Sequence, residues 1–456
     1  MQSGSSPLLK RQMSDSIAMI SSSLSALDGL HGMVTVGQFL GHVYALAEQL
    51  PNSRFTINLC ENRYLFMVGF CASLIREQTT LLPANKAEST MVDLKENYAT
   101  SYILHDGHII DDKTALNINT LSLSCSARTD VPLISKQHCA AIVFTSGSTG
   151  LPTAIEKSWD VFSRSTEINI KHMLGDLESL HFEVATIPGQ HMWGMETSIL
   201  IPLMAAVCVS DARPFFMQDI ADVLAQVELP RILVTTPVHL RAMILSGLQF
   251  PELSLVLCAT APLATEMATQ AERLFNAELK EVYGCSEAGS MACRRTAVTQ
   301  NWQLFEDFNL MHLDGQMVAK AAHLSVDTVL QDNIEIVDKR HFCLQGRSHE
   351  VVKIAGKRTS IQELNRVLLS CQAVLDGVIF LPKTATVQNA LGEQRAVAIV
   401  VLNEHQKKES IAVHFQRHID PVFIPRTIFV VQQLPREASG KLRKVKLEQL
   451  YHSLLA

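Results

Sequence analysis

One short stretch, Val143–Pro152, combines residue types that suit phosphate binding. An apolar run, Ala140–Phe144, carries β-type residues and predicts a buried strand. The residues after it contain only Thr, Ser and Gly: Thr145, Ser146, Gly147, Ser148, Thr149 and Gly150. Such a segment cannot pack a core, but its glycines let backbone N–H groups and hydroxyls approach an anion. We therefore predict a phosphate-binding loop. A flexible linker is the alternative, although a linker is not expected directly after a buried strand.

The stretch resembles the phosphate-binding loop of the adenylate-forming superfamily. That superfamily includes acyl- and aryl-CoA synthetases, peptide-synthetase adenylation domains and luciferases. The loop is not a Walker loop, because no Gly-Lys-Ser/Thr closes it. Other segments match further motifs of the superfamily in the same order, between residues 144 and 441. The resemblance implies that Thr145 to Gly150 bind the phosphates of ATP.

A second segment, Tyr283-Gly284-Cys285-Ser286-Glu287, matches the pattern Tyr-Gly-x-Thr/Ser-Glu of that superfamily. The resemblance implies that Tyr283 packs on the adenine, beside Gly284, and that Ser286 hydrogen-bonds a phosphate. It also implies that Glu287 binds Mg²⁺. Magnesium prefers oxygen ligands and usually takes one or two carboxylates besides phosphate and water, so one Glu suffices. A serine-nucleophile elbow is set aside because Ala288 replaces its final glycine.

Two further loops are expected to border the carboxylic acid. Gly189–Gly194 follows a predicted strand and Pro188, and the resemblance places His191 on the acyl side of the site. There it would shape the pocket or steer a carboxylate; an ordinary loop histidine is the alternative. Cys258–Leu263 resembles a small-residue segment that borders both the adenine and the acyl group. Ala261 and Pro262 belong to it, and Pro262 suits the first turn of a helix.

A ribose site is predicted from Asp332, which Gly346 and Arg347 follow fourteen and fifteen residues later. The resemblance implies that Asp332 takes both ribose hydroxyls and that Arg347 also contacts the ribose. A carboxylate suits this role because it can accept both hydroxyl hydrogens. The usual Thr-Gly before the aspartate is Leu330-Gln331 here, so the match depends on spacing.

A hinge between two domains is implied by Gly346–Arg358, which matches Gly-Arg-x-Asp-x-x-Val-Lys-x-x-Gly-x-Arg. His349 occupies the position where the family commonly has the hinge aspartate. We expect rotation of the small domain to be retained and to become sensitive to pH. Lys353 and Gly356 are assigned to the hinge and to the tunnel through which the acceptor thiol enters.

Lys441 is the predicted catalytic lysine, because Leu434–Lys441 resembles the C-terminal Leu-Pro-x-x-x-x-Gly-Lys motif. When a carboxylate attacks the α-phosphate, negative charge grows on the phosphorane oxygens and on the leaving pyrophosphate. A positioned ammonium stabilises that charge more than the ground state. An ordinary lysine in a basic surface tail is the alternative.

One position departs from the family. Its phosphate loop ends Gly-x-Pro-Lys, whereas this chain has Thr153 in place of the lysine. We expect the loss to slow adenylation without abolishing it, since Lys441 is retained. Lys157 would have to reach back to replace the missing contact, and the sequence does not show that it does.

The scaffold that must position these residues is predicted as α/β. From 136 to 290, short apolar runs alternate with helix-length segments, which argues for mostly parallel sheets covered by helices. Ligands of such sheets lie beyond the carboxyl ends of the strands. The predicted strands are Ala140–Phe144, Glu183–Ile187, Ala206–Val209, Arg231–Thr235, Ser254–Cys258 and Lys280–Tyr283. The predicted helices between them are Met217–Gln226, Pro237–Leu245 and Ala264–Phe275.

Two domains are expected. Residues 1–347 would form a large N-terminal domain that binds ATP and the acid. After about residue 345 the pattern becomes that of a compact α+β unit, so residues 348–456 would form a small mobile domain carrying Lys441. Its predicted strands are Glu350–Ile354, Gly377–Leu381, Val397–Leu402 and Thr427–Val431, and its predicted helices are Ile361–Leu369 and Glu404–His418.

Composition excludes several classes of protein. The 456 residues are 47% hydrophobic and 18% charged, values typical of a soluble globular protein. A formal charge of −6 gives no reason to expect nucleic acid. The ten cysteines are scattered without a CxxC pair, as in a reduced cytosolic protein. Met195–Val209 is the most apolar stretch, but Glu196 and Pro202 interrupt it, so stable membrane insertion is not expected. We predict a cytoplasmic protein.

The function implied by the resemblance is an ATP-dependent ligase. A carboxylic acid, aryl or fatty acyl, would react with Mg·ATP to give an acyl-adenylate, and a phosphopantetheine thiol would then take the acyl group. We favour an acyl carrier protein as acceptor, because the chain resembles compact bacterial ligases of aryl-polyene and fatty-acid-like pathways. Coenzyme A is the alternative acceptor. A hypothesis of another class is a nucleotide-binding sensor or scaffold that has lost catalysis, for which Thr153 and His349 argue.

Overall fold

The computed structural model describes residues 4–24, 27, 29–83, 85–86, 88–107, 112–123, 126–146, 152–347, 351–354, 357–382, 396–403, 406–437 and 440–455. Its helices are α1 (Val36–Gln49), α2 (Arg63–Ile75), α3 (Glu88–Asn97), α4 (Trp159–Asn169), α5 (Met192–Gly194), α6 (Ile201–Met204), α7 (Met217–Gln226), α8 (Pro237–Leu245), α9 (Thr265–Phe275), α10 (Ile361–Ser370), α11 (Glu409–His418) and α12 (Lys444–Leu455). Short 3₁₀ or π-helical segments span Ile118–Thr120, Ile170–Leu174, Met195–Leu200 and Pro421–Phe423.

The first half of the chain contributes the strands β1 (Ser5–Pro7), β2 (Ser16–Leu24), β3 (Leu30–Thr35), β4 (Phe55–Asn58), β5 (Thr79–Leu82), β6 (Tyr102–His105), β7 (Ala115–Asn117), β8 (Leu133–Ser135), β9 (Cys139–Ser146), β10 (Pro152–Ser158), β11 (His181–Ala185) and β12 (Val207–Ser210). A six-stranded sheet has the order β10-β9-β5-β4-β6-β7. Its pairs are parallel except β9 with β10, which are antiparallel and place Thr153 opposite Thr145.

The second half contributes the strands β13 (Arg231–Thr235), β14 (Leu255–Cys258), β15 (Glu278–Cys285), β16 (Gly289–Arg294), β17 (Trp302–Leu304), β18 (Phe308–Leu313), β19 (Gln316–Ala321), β20 (Thr328–Leu330), β21 (Asp332–Ile336), β22 (His341–Arg347), β23 (Val351–Ile354), β24 (Lys357–Ser360), β25 (Val374–Phe380), β26 (Val397–Leu402) and β27 (Thr427–Val430). An eleven-stranded sheet has the order β21-β22-β17-β16-β15-β14-β13-β11-β12-β2-β3. Its centre, from β15 to β2, is parallel, and its two flanks are antiparallel.

Helices cover both faces of the eleven-stranded sheet. Along β13, Ile232 and Val234 pack into one core and Leu233 into another, because successive side chains of a strand point to opposite faces. Helices α7, α8 and α9 pack on the face of Leu233. A further core joins α1, α2 and α4 to side chains from both large sheets. The central strands are therefore buried on both sides, as parallel sheets require.

Local capping explains where two helices of the first domain begin. Thr35 and Gln38 form a capping box at the start of α1. The Asn62 side chain accepts a hydrogen bond from the Leu65 N–H and caps α2. This cap fixes the position of Arg63, the first residue of α2.

The C-terminal domain has its own cores. Strands β25, β26 and β27 form a three-stranded sheet, and β23 pairs with β24 as a hairpin. Ala398 and Val400 pack with α10 and α11, whereas Val397 and Ile399 pack with α12. The domain is therefore a layered α+β unit.

The predicted fold class is confirmed, with a large N-terminal and a smaller C-terminal domain. The bounds of α7, α8, β13 and β26 are those predicted. Other bounds were wrong: β11 is His181–Ala185 and not Glu183–Ile187, and α11 begins at Glu409. Helix α9 begins at Thr265, so Pro262 lies ahead of its first turn and not within it. Among the described helices, none is long and apolar enough to cross a membrane.

Candidate active site

An aromatic and acidic cluster surrounds Tyr283, near the carboxyl end of β15. The Tyr283 hydroxyl donates a hydrogen bond to Asp332 Oδ2 at 2.8 Å. The Tyr283 ring also contacts the rings of Trp302 and Phe342, with centroid distances of 5.5 and 5.7 Å. Asp332 of β21 is the cross-strand partner of Arg347 of β22. The structure thus brings together the residues predicted for adenine and ribose, which are 64 positions apart in sequence at the widest (347 minus 283).

The predicted magnesium residue lies on the turn between β15 and β16. The side chain of Glu287 is exposed and that of Ser286 is partly exposed. The turn is tight at its base, since a Cβ added to Gly284 would lie 2.3 Å from the carbonyl oxygen of Gly289. Only glycine fits there. The turn therefore presents a carboxylate from a closely packed backbone.

Two buried charged side chains, Lys157 and Glu196, bind the backbone of the turn between β15 and β16. Lys157 is 3% exposed, and its Nζ donates to the carbonyl oxygen of Glu287 at 2.5 Å. Glu196 is 4% exposed and accepts hydrogen bonds from the Ser290 N–H at 3.0 Å and from its hydroxyl at 2.9 Å. Burial lowers the pKa of Lys157 and raises the pKa of Glu196, and the attraction between the two charges opposes both shifts. The network fixes both ends of the Glu287–Ser290 turn.

His191 caps the short helix α5, and its Nδ1 accepts a hydrogen bond from the Trp193 N–H at 3.3 Å. Burial, followed by the positive charge of Lys441, lowers the pKa of His191 to about 4. The imidazole is therefore neutral near pH 7 and, with Nδ1 accepting, carries its proton on Nε2. A neutral histidine can orient a carboxylate by hydrogen bonding but not by charge.

The loop before α5 is anchored at several points. Gln190 Nε2 donates to the Cys60 carbonyl, and Trp193 Nε1 donates to the Thr235 carbonyl at 3.3 Å. Gly194 approaches the loop so closely that an added Cβ would lie 2.1 Å from the Pro188 carbonyl oxygen. These contacts hold His191 in place between α2 and β13.

Arg63 lies beneath the same loop and is 2% exposed. Its Nη2 donates to the carbonyls of Ala185 at 2.8 Å and Ile187 at 3.0 Å, the residues that lead into the His191 loop. Glu183 and Asp211 both interact electrostatically with Arg63. Burial raises the pKa of the Glu183 carboxyl to about 7 despite the opposing effects of Ser198 and Arg63. The guanidinium's contacts to the strand were not predicted.

His239 of α8 lies among threonine hydroxyls that are close in sequence to the Gly189–Gly194 loop and to the start of α8. His239 Nδ1 lies 3.1 Å from the hydroxyls of both Thr186 and Thr236, and Thr186 also contacts the Thr235 hydroxyl at 3.0 Å. Burial lowers the pKa of His239 to about 4, so this ring is also neutral near pH 7. Thr260, in the loop that holds Ala261 and Pro262, has a φ of +84°, a conformation that non-glycine residues rarely adopt.

The C-terminal domain presents Lys441 to this region. A Cβ added to Gly440 would lie 3.1 Å from Thr236 Oγ1, so the lysine loop contacts the start of α8. Within the loop, the Glu437 N–H donates to the Lys441 carbonyl at 2.9 Å and the Gly440 N–H to the Glu437 carbonyl at 2.8 Å. Arg436 Nη1 donates to the Gly440 carbonyl at 2.9 Å. These hydrogen bonds fix the backbone of Gly440 and Lys441 close to the start of α8.

The family follows from the match of residues 46–310 to the model described as AMP-binding enzyme. The chain belongs to the AMP-binding enzyme family. Residues 363–441 also match the model described as AMP-binding enzyme C-terminal domain. This second match includes Lys441.

A curated relative of this AMP-binding enzyme is the acetyl-coenzyme A synthetase of Pyrobaculum aerophilum, which is 32% identical over 104 residues. That match covers 22% of this chain and 15% of the synthetase, so the chain aligns with a small part of that relative.

Two solved structures share the whole architecture of this AMP-binding enzyme. The anthranilate CoA ligase AuaEII in complex with anthranoyl-AMP has a TM-score of 0.79 at 13% identity, over 99% of both chains. The o-succinylbenzoate coenzyme A synthetase (MenE) of Bacillus subtilis, in complex with ATP and magnesium ion, has a TM-score of 0.77 at 14% identity. The match covers 96% of this chain and 98% of the MenE chain. At these identities the two structures establish the fold.

Some predicted site residues lie outside the described part of this AMP-binding enzyme. They are Gly147, Ser148, Thr149 and Gly150 of the phosphate loop, and His349 and Gly356 of the predicted hinge and tunnel. Thr145, Ser146, Arg347 and Lys353 belong to strands whose backbone is described, but their side chains are not. The roles of all these residues stay predictions.

Proposed function

We propose that this protein is an ATP-dependent ligase that activates a carboxylic acid as an acyl-adenylate and transfers the acyl group to a thiol. Membership of the AMP-binding enzyme family supports this proposal. The observation that carries it is the contact of the Lys441 loop with Thr236, together with the electrostatic effect of Lys441 on His191.

In the proposed first step, a carboxylate oxygen of the acid forms a bond to the α-phosphorus of ATP. The bond from that phosphorus to the bridging oxygen breaks, and pyrophosphate leaves. Lys441 stabilises the negative charge that develops on the phosphoryl oxygens. The neutral His191 orients the attacking carboxylate through its Nε2–H without reducing the nucleophile's charge.

The nucleotide would bind across β15, β21 and β22. Tyr283 provides an aromatic face, Asp332 accepts from the ribose hydroxyls, and Arg347 follows as its cross-strand partner. The phosphates would lie against residues 145–150 and Ser286.

Magnesium fits the residues present at the β15–β16 turn. Glu287 offers an exposed carboxylate, the hard oxygen donor that Mg²⁺ prefers, on a backbone that Lys157 holds in place. When bound, Mg²⁺ would neutralise phosphate charge. The carboxylate of Glu287 is the residue that would hold it.

Thr153 is exposed near the start of β10, and Lys157 does not replace the family's lysine as a mobile contact. Lys157 is buried, and its Nζ already donates to the Glu287 carbonyl. We therefore propose that Lys157 has a structural role, in which it holds the backbone of Glu287. We also propose that adenylation is slower than in relatives that keep the loop lysine.

The acceptor is proposed to be the phosphopantetheine thiol of an acyl carrier protein. The exposed Lys444 and Lys446 next to the Lys441 loop suit an acidic partner. Coenzyme A is the alternative, and the similar proteins described above, two CoA synthetases and a CoA ligase, favour it. The acyl-transfer step would follow rotation of residues 348–456 about the 347/348 boundary. The cytoplasm is proposed from the scattered cysteines.

Pyrophosphate release from Mg·ATP tests the proposal, measured across a panel of aryl and fatty acids. The first assay contains no thiol and uses hydroxylamine to trap adenylate. Release that depends on one class of acid, with the matching hydroxamate, would support adenylation and name the substrate class. Addition of holo carrier protein or of coenzyme A then distinguishes the two acceptors. No release with any acid, while ATP still binds, would reject the ligase and favour the sensor or scaffold hypothesis.

A further inference from the structure

Arg241 of α8 connects the two domains through main-chain carbonyls. Arg241 belongs to the larger domain and is 9% exposed. Nε donates to the Leu375 carbonyl at 2.8 Å, and Nη2 donates to the Cys371 carbonyl at 3.1 Å. Nη1 also donates to the Leu369 carbonyl, and Nη2 to the Val374 carbonyl. One guanidinium therefore binds four carbonyls of the C-terminal domain.

The acceptors suit a positive charge. Leu369 lies in the last turn of α10, where carbonyls lack intrahelical partners and carry the negative end of the helix dipole. Burial lowers the pKa of Arg241, and the charge of Asp376 opposes that shift. A guanidinium is costly to bury unless charge-assisted hydrogen bonds replace its water. Here the C-terminal domain supplies those bonds, so the contact depends on the docked arrangement.

Further hydrogen bonds connect the segment that Arg241 contacts to the loop of Lys441. Asp376, next to Leu375, accepts two hydrogen bonds from Arg436, each at 2.7 Å. Arg436 in turn donates to the Gly440 carbonyl, and Gly440 contacts Thr236. Thr236 is the N-cap of α8, the helix that carries Arg241. Helix α8 thus contacts the C-terminal domain at two places, and the chain of contacts between them includes the loop of Lys441.

We propose that Arg241 is a positioning residue that docks the C-terminal domain on α8 so that Lys441 reaches the reacting groups. The proposal rests on the function proposed above. Because all four acceptors belong to the main chain, the docking depends on Arg241 and not on side chains at positions 369–375. Loss of the guanidinium removes the four bonds together. Adenylation, which needs Lys441 at the site, should therefore depend on Arg241, and acyl transfer from a preformed adenylate should not.

Arg241→Gln and Arg241→Lys test this in the full-length protein, with Arg231→Gln as the matched control. Arg231 also donates to main-chain carbonyls, those of Val227 and Glu252, but both lie in the larger domain. Single-turnover adenylation by Arg241→Gln should fall about tenfold to a hundredfold, as for other displaced catalytic groups. Arg241→Lys should recover part of that loss, and transfer from supplied acyl-adenylate should change less than twofold. Equal losses in both half-reactions, or the same loss in Arg231→Gln, would overturn the proposal.

Small-angle X-ray scattering tests the docking without any activity. Arg241→Gln should increase the radius of gyration, whereas the wild type and Arg231→Gln should match each other. An unchanged radius in Arg241→Gln would overturn the proposal even if the ligase is active. A wild-type protein with no ligase activity would reject the proposed function, but the scattering would still decide whether Arg241 docks the domains.

Discussion

Individual buried charges hold parts of the candidate site to distant segments of the chain. Lys157 and Glu196 support the turn of Glu287, and Arg63 supports the strand end that leads to His191. Each of these side chains binds backbone atoms of a distant segment, so each fixes the position of one element relative to another. Lys441 differs, because it reaches the site from the other domain.

Lys441→Ala should lower the rate of adenylate formation by about a hundredfold to a thousandfold, since a positioned cation stabilises the developing charge. ATP binding should be retained. Single-turnover pyrophosphate release and an equilibrium ATP titration measure the two effects. Lys444→Ala, an exposed lysine three residues later, is the control and should change neither value. An unchanged adenylation rate in Lys441→Ala would remove this lysine from the mechanism.

Glu183→Gln should make stability less dependent on pH. The folded pKa of about 7 exceeds the ordinary value of 4.5, so the folded protein binds more protons between these values. The stabilisation is fully present below about pH 4.5 and is lost as the pH rises through 7. The loss is on the order of 3 kcal/mol.

Urea unfolding at several values between pH 4 and pH 8 measures this difference. The free energy of unfolding of Glu183→Gln, relative to that of the wild type, should be higher at pH 8 than at pH 4. Glu178→Gln, an exposed carboxylate a few residues away, should follow the wild type throughout. The same slope in Glu183→Gln and the wild type would show that this carboxyl does not titrate as inferred.

Sequence motifs identified the candidate site residues that lie in recognisable local patterns. They did not identify the buried side chains that hold those residues in place. Tyr283 bonds to Asp332, and Asp332 pairs with Arg347 across two strands, whereas the ligand roles of these residues stay predictions. Lys157 and Arg241 were not assigned these contacts because each binds carbonyls about 130 positions away in the chain. A carbonyl acceptor places no constraint on the side chain at its own position. No local pattern in one sequence reveals such a pair.

At the scale of elements, the predictions succeeded where capping and burial agree. Helix α8 begins after the Thr236 cap with proline at its start, and its bounds were predicted correctly. The strands between Gly289 and Arg347 were not predicted. In β18 one residue is buried and most of the others are exposed, so neither a continuous apolar run nor alternation is present. Such strands are held by pairing with their neighbours.

Gly440→Ala should impair adenylation more than it impairs folding. Gly440 has a φ of +79°, and an added Cβ would meet Thr236 Oγ1 at 3.1 Å, so the Lys441 loop would have to shift. Gly315→Ala is the control, because Gly315 has a φ of +77° but open space around it. Both variants should lose about 1 kcal/mol of stability from the backbone conformation. Only Gly440→Ala should also slow adenylation, about tenfold; equal rates in the two variants would contradict the close contact with Thr236.

At the scale of the whole molecule, the hydrophobic cores separate between the two domains. The described cores of the larger domain draw on residues between Leu8 and Leu344, and those of the smaller domain on residues between Ile361 and Leu454. No core cluster in the described part of the chain mixes the two sets. The domains are joined instead by polar contacts such as those of Arg241. A polar junction can be hydrated when it opens, so it suits the domain rotation proposed for acyl transfer.

A fragment of residues 1–347 should therefore fold and bind ATP but form no adenylate. Its cores remain complete, and Arg241 would exchange its carbonyl partners for water at little cost. Thermal unfolding should place the fragment within a few degrees of the larger domain's transition in the full-length protein, and an ATP titration should give a similar Kd.

Addition of residues 348–456 as a separate chain should not restore pyrophosphate release at micromolar concentrations, since the covalent link supplies the effective concentration for docking. A fragment that does not fold would show that the two domains share stability across the 347/348 boundary. Adenylation by the fragment alone would show that neither Lys441 nor its docking on α8 is required for the first step.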